Sequence, residues 1–104
     1  MWQNDSMNTA TAIERLRRRS DALRTAGATA LFIYGSRARD ANRPDSDLDV
    51  FVDYDPNRKF SLLDLAGLKL MIEKELDVDV HITTRDSLNP RLKPIIERQA
   101  IRVF

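Results

Sequence analysis

The sequence predicts an α/β (α+β) fold, with one small mixed β-sheet flanked by helices. Three observations predict it. Short apolar runs with strand character at residues 30–34, 47–54 and 78–83 alternate with longer stretches of helical periodicity. Turn-forming residues separate them, at Gly27, at Gly35, in the loop Asn42-Arg43-Pro44-Asp45-Ser46 and at Pro56-Asn57-Arg58. The length, 104 residues, suits one domain with one core.

Taken in order, residues 1–8 are polar and read as a flexible N-terminus without the apolar centre of a signal peptide, and Met7 is an alternative start. Residues 9–104 form the domain. Residues 9–26 read as a helix, with Ile13, Leu16 and Leu23 near one face and arginines on the others, stopped by Gly27. Residues 30–34 form a buried strand that Gly35-Ser36 breaks, with a short helix expected to follow. Residues 47–54 make a second strand. Residues 61–76 make a long helix, whose apolar stripe is Leu62, Leu65, Leu68, Ile72 and Leu76. Residues 78–83 make a third strand, 90–100 a last helix, and 101–104 an extended tail.

Composition removes several chemistries. Without cysteine there is no disulfide, no thiolate nucleophile and no cysteine-ligated zinc, which fits a cytoplasmic protein. No apolar run approaches the length of a membrane span. A formal net charge of +1 gives no argument for direct nucleic-acid binding. The run Arg15, Arg17, Arg18, Arg19 and Arg24 reads as a solvated helix face.

The residues that carry chemistry begin with Asp47 and Asp49. Two apart on a strand, they share a face, about 6–7 Å apart at their bases, while Leu48, Val50 and Val52 turn to the other. Paired carboxylates repel unless a cation joins them, and Mg²⁺ favours one or two carboxylates together with water and phosphate oxygens. Asp is depleted in strands, so two in an apolar run call for a reason. Ahead of them, Gly35-Ser36 after a buried strand offers free backbone amides to a phosphate, Ser36 adds a hydroxyl, and Arg39 adds positive charge. Neither a P-loop nor a Rossmann glycine pattern is present. A third carboxylate, needed where two metals act together, is offered by Asp79, read as mid-strand between Val78 and Val80. Asp77 is read as a solvated residue at the strand start. His81, the one histidine, shares the Asp79 face and reads as a surface or packing residue.

The combination Gly35-Ser36-x-Ala38-Arg39, then Ser46-Asp47-Leu48-Asp49-Val50, then Val78-Asp79-Val80 resembles the DNA polymerase β-type nucleotidyltransferase superfamily, and most closely its minimal (MNT) branch. The resemblance runs from about Leu31 to the C-terminus. It implies the nucleotidyltransferase fold and two Mg²⁺ ions held by Asp47, Asp49 and Asp79 as catalytic ligands. It also implies ATP as substrate, with its triphosphate over Gly35, Ser36 and Arg39. MNT proteins commonly pair with a HEPN-type toxin and neutralise it by moving AMP from ATP onto a toxin tyrosine, so the resemblance implies an antitoxin. The chain shows no second lobe to hold an acceptor, and a partner protein is expected to present it. One departure is Asp40, where the family usually has glycine; it adds negative charge near the triphosphate without removing a ligand. The alternatives are a binding-only antitoxin that blocks its toxin sterically, and a nucleotidyltransferase acting on a small molecule or RNA. Metal-dependent labelling of the partner by ATP separates them.

Overall fold

The computed structural model describes residues 8–35 and 48–104. Asn8 starts the first helix: its Oδ1 accepts the Thr11 amide at 2.8 Å, satisfying one of the donors a helix N-terminus leaves open. Asn8 is therefore a cap rather than part of a free N-terminus; residues 1–7 lie outside the described residues. The segment expected as one helix is two, α1 (Thr9–Arg18) and α2 (Ser20–Thr25). Arg19 breaks it, with φ −101° and ψ 11° and its amide bonded to the Leu16 carbonyl at 3.0 Å, a tightened turn. The side chain at the break reaches the long helix, with Arg19 Nε 3.6 Å from Glu75 Oε1. Leu16 and Leu23 are both buried. Gly27, at φ +123°, closes α2 as its sequence position predicts, and a Cβ there would lie 2.8 Å from the Phe60 ring.

The sheet is four-stranded among the described residues, in the order β3-β2-β1-β4. Strand β1 (Ala30–Tyr34) runs antiparallel to both β2 (Leu48–Asp53) and β4 (Ile101–Arg102), while β2 and β3 (Val80–Thr84) are parallel. The mixed sheet is thus as expected. Parallel neighbours need a crossover, supplied by α3 (Leu62–Leu76). Ser61 and Asp64 open that helix with a reciprocal capping box. Leu31, Ile33, Leu48, Val50, Val52 and Val80 line one sheet face and are buried with Leu16, Leu23, Leu68, Ile72 and Leu76.

Two boundaries and one buried position differ from expectation. Asp77 is left-handed, at φ 55° and ψ 43°, and caps α3, so β3 begins at Val80 and not at 78. Leu62 does not join the buried stripe; it is 82% exposed. The last helix, α4 (Lys93–Gln99), starts late because Asn89 first forms a turn, its carbonyl accepting the Leu92 and Lys93 amides at 2.9 and 2.8 Å.

The sheet's other face is covered differently. Phe32 and Phe51 stack across β1 and β2, with centroids 4.7 Å apart. Arg85, just past β3, lays its guanidinium 4.8 Å from the Phe32 ring centre and 5.1 Å from that of Phe51. Its Nε and Nη2 donate to Asp53 at 2.8 and 3.0 Å, and its Nη1 donates to Glu97 of α4 at 2.7 Å. These hydrogen bonds, those donated to Asp53 foremost, raise the Arg85 pKa above its ordinary value. Arg85→Met is expected to lower stability by about 2–3 kcal/mol, since it strands two carboxylates and uncovers the rings. Urea denaturation measures this; an unchanged midpoint would mean that the bidentate pair contributes nothing.

Candidate active site

Strand register brings the chemistry together. Tyr34 pairs with Asp49, and Asp49 with His81, so the three form one row across β1, β2 and β3. Their neighbours Ile33, Leu48, Val50 and Val80 are buried in the core, which turns the row to the opposite face. The alternation read from the sequence for Leu48, Asp49, Val50 and Val52 is what the strand adopts. Asp49 is half-buried and His81 exposed.

Asp79 is not mid-strand. It stands one residue ahead of β3, exposed, because the left-handed Asp77 cap and the turn at Val78 delay the strand. Its backbone has nonetheless entered the ladder: the Asp79 carbonyl accepts the Leu48 amide at 3.0 Å. Two residues before His81, it falls on the same side as Asp49 by alternation. Asp77 is a helix cap rather than a strand residue, a role for which a short polar side chain is suited.

Gly35 follows β1 at φ +77°, a conformation that side chains rarely adopt. A Cβ at this position would stand 2.6 Å from Asp49 Oδ2. The glycine therefore lets the carboxylate pack directly against the backbone, besides making the turn. Gly35→Ala is expected to lose about 1–2 kcal/mol of stability from backbone strain and to displace the Asp49 carboxylate. The check is a thermal melt beside an ATP-binding titration; a variant as stable and as tight-binding as the parent would remove the glycine from the site.

Tyr34 closes the row on the β1 side, tilted against Phe51 with centroids 5.6 Å apart. Burial, and next the Asp49 charge, raise its hydroxyl pKa. Ser36, Arg39 and Asp47, expected to hold phosphate and metal, lie outside the described residues, as does Asp40. Among the described residues no three acidic or histidine side chains gather as a metal cluster. Gly35, Asp49 and Asp79 are the expected site residues that the structure describes, and it places them at one end of the sheet.

The comparisons with known proteins agree with this geometry. Residues 12–103 match the family model for the nucleotidyltransferase domain. The chain belongs to the nucleotidyltransferase domain family. It is 36% identical over 78 residues to a candidate protein adenylyltransferase of Methanocaldococcus jannaschii, spanning 75% of this chain and 82% of that protein. A solved structure of a candidate minimal nucleotidyltransferase is 41% identical, with TM-score 0.67, covering 86% of this chain and 93% of that one. The fold is also that of the chain solved in a complex of tri-AMPylated Shewanella oneidensis HEPN toxin with MNT antitoxin. There the TM-score is 0.61 at 16% identity, over 88% of this chain and 71% of that one.

As a minimal nucleotidyltransferase, the chain is an enzyme. Two features escaped the sequence reading. In the sequence Tyr34 is only the end of a buried strand; its place beside Asp49 follows from antiparallel register, which no local pattern gives. Arg85 sits in an unremarkable turn sequence, and its partners Asp53 and Glu97 are 32 and 12 residues away. The arginine run of α1 and α2 is largely used within the fold. Arg15 and Arg19 face Glu75, Arg18 pairs with Glu14, Arg17 donates to the Val103 carbonyl at 2.7 Å, and Arg24 lies over the Phe104 ring. No helix among the described residues is long and apolar enough to cross a membrane.

Proposed function

We propose that this nucleotidyltransferase moves AMP from ATP onto a tyrosine hydroxyl of a HEPN-type partner protein, and so acts as an antitoxin. The observation that carries the reading is the Asp49 carboxylate, on the strand face turned from the core and set directly against the Gly35 turn. The relative named for protein adenylylation and the complex containing a tri-AMPylated HEPN toxin support the acceptor class.

Asp49 and Asp79 fit a divalent cation. Asp49 stands on β2 and Asp79 immediately ahead of its parallel neighbour β3, where the Asp79 carbonyl accepts the Leu48 amide, and the Gly35 turn lies directly against the Asp49 carboxylate. Asp47 is assigned as the third ligand from its sequence position. Bound Mg²⁺ supplies Lewis acidity, offsetting the charge of the triphosphate and easing loss of the acceptor proton. The chain's own residues do the rest. Gly35 lets the backbone approach a phosphate, and Ser36 and Arg39 are assigned to hold the β- and γ-phosphates, leaving pyrophosphate in place to depart. Asp79, the more exposed carboxylate, is assigned to accept the phenolic proton. The tyrosine oxygen bonds to the α-phosphorus, the α–β phosphoanhydride breaks, and pyrophosphate leaves.

Incubation with ATP labelled at the α-phosphate, Mg²⁺ and the product of the neighbouring gene is expected to label that protein on tyrosine. Chelation should abolish the label. Inhibition of the toxin without any label would convert the reading to a binding-only antitoxin, and label confined to RNA or small molecules would overturn the acceptor class.

A further inference from the structure

Helix α3 carries two apolar faces where the fold uses one. Leu65, Leu68, Ile72 and Leu76 pack on the sheet, fully or partly buried. On the opposite side Leu63, Ala66, Gly67 and Leu70 recur at spacings of three and four, so they form one ridge. Leu63 is 83% exposed and Leu70 64%. Single exposed leucines need no explanation, but two on one helical ridge form a patch.

Gly67 is the independent observation. It sits in the interior of a 15-residue helix, where glycine is the least favourable residue after proline. A Cβ added there would meet nothing within 4 Å. The fold itself would admit a side chain at this position, and its absence leaves a shallow gap in the ridge. A gap flanked by Leu63 and Leu70 is what a crossing helix needs to bring its backbone close.

The charges on α3 favour one occupant. Its acidic residues are engaged within the chain: Asp64 in the capping box, Glu73 with the Val80 amide, and Glu75 with Arg15 and Arg19. Lys69 and Lys74 form no ion pair with any described residue. A second copy laid antiparallel about Gly67 would bring Lys74 toward Arg58 and Lys59, just ahead of the helix; laid parallel, it would set Lys74 against itself. Like charges disfavour both arrangements. We propose that the Leu63–Gly67–Leu70 ridge of α3 docks an amphipathic helix of the partner protein, one with apolar residues along its contact face and carboxylates at its margin. The inference rests on the partner reading above.

The experiment uses the full chain and the partner protein, taken from the neighbouring gene, with affinity read by calorimetry and oligomeric state by sedimentation. Gly67→Ala is expected to act in opposite directions, raising the melting temperature of the isolated chain by about 4 °C through helix propensity while weakening binding. Gly67→Leu and Leu70→Asp should fold and lose at least about tenfold in affinity, a loss large enough to separate from scatter. Asp49→Asn should bind as the parent does. Parent-like affinity in Gly67→Leu and Leu70→Asp would overturn the proposal, as would a dimer of the isolated chain that Leu70→Asp dissolves. Binding that depends on this ridge without any AMP transfer would remove the proposed activity and leave the docking surface standing. Transfer that persists with parent-like affinity in the ridge variants would do the reverse.

Discussion

Asp49→Asn is expected to reduce AMP transfer by at least about a thousandfold, equivalent to about 4 kcal/mol of lost transition-state stabilisation. The change is nearly isosteric and lies on the sheet face turned away from the buried residues Leu48 and Val50, so the protein should fold and melt within a few degrees of the parent. The amide keeps the shape and removes the charge that a cation requires. Mg²⁺–ATP should raise the melting temperature of the parent, because a ligand that binds only the folded state stabilises it, and should leave the variant unmoved. An intact Mg²⁺–ATP shift in the variant would show that Asp49 holds no metal.

The second large effect separates two carboxylates that sequence alone ranks only by position. Asp79→Asn is expected to slow single-turnover transfer by about a hundredfold or more while leaving ATP affinity within a few-fold, since its assigned work concerns the acceptor and its proton. Asp77→Asn is the control. Asparagine tolerates the left-handed conformation at φ 55°, so rate and stability should barely change. Asp77→Val, by contrast, should destabilise the protein by about 1–2 kcal/mol without touching the chemical step, because a β-branched residue is strained there. A dead Asp77→Asn variant beside an active Asp79→Asn variant would reverse the assignment.

Much of this is legible in the chain because the relevant forces are local. Alternation in residues 48–52 sets Asp49 apart from Leu48 and Val50, since side chains on a strand take opposite faces whatever the strand pairs with. Gly27 and Ser61 mark helix ends because capping is satisfied within a few residues. Asp79 was harder: one left-handed residue at Asp77 moved the strand start by two positions, and an Asp-Val-Asp-Val run does not reveal which residue caps the helix and which leads the strand.

The sequence by itself determined the mixed α/β layout, the faces of β2, and the family, through the order and spacing of Gly35, Asp49 and Asp79 with their neighbours. Tertiary structure alone decided what lies across from what. Tyr34 meets Asp49 and Asp49 meets His81 because β2 pairs antiparallel on one side and parallel on the other. Arg85 is clamped between Asp53 and Glu97 over Phe32 and Phe51 because α4 returns beneath that face. Leu62 is solvated, and Leu63 and Leu70 stand outward, because a helix with leucines around its circumference can bury only the side that the sheet covers. Periodicity sets which residues share a face; which face is covered depends on contacts between segments distant in the chain.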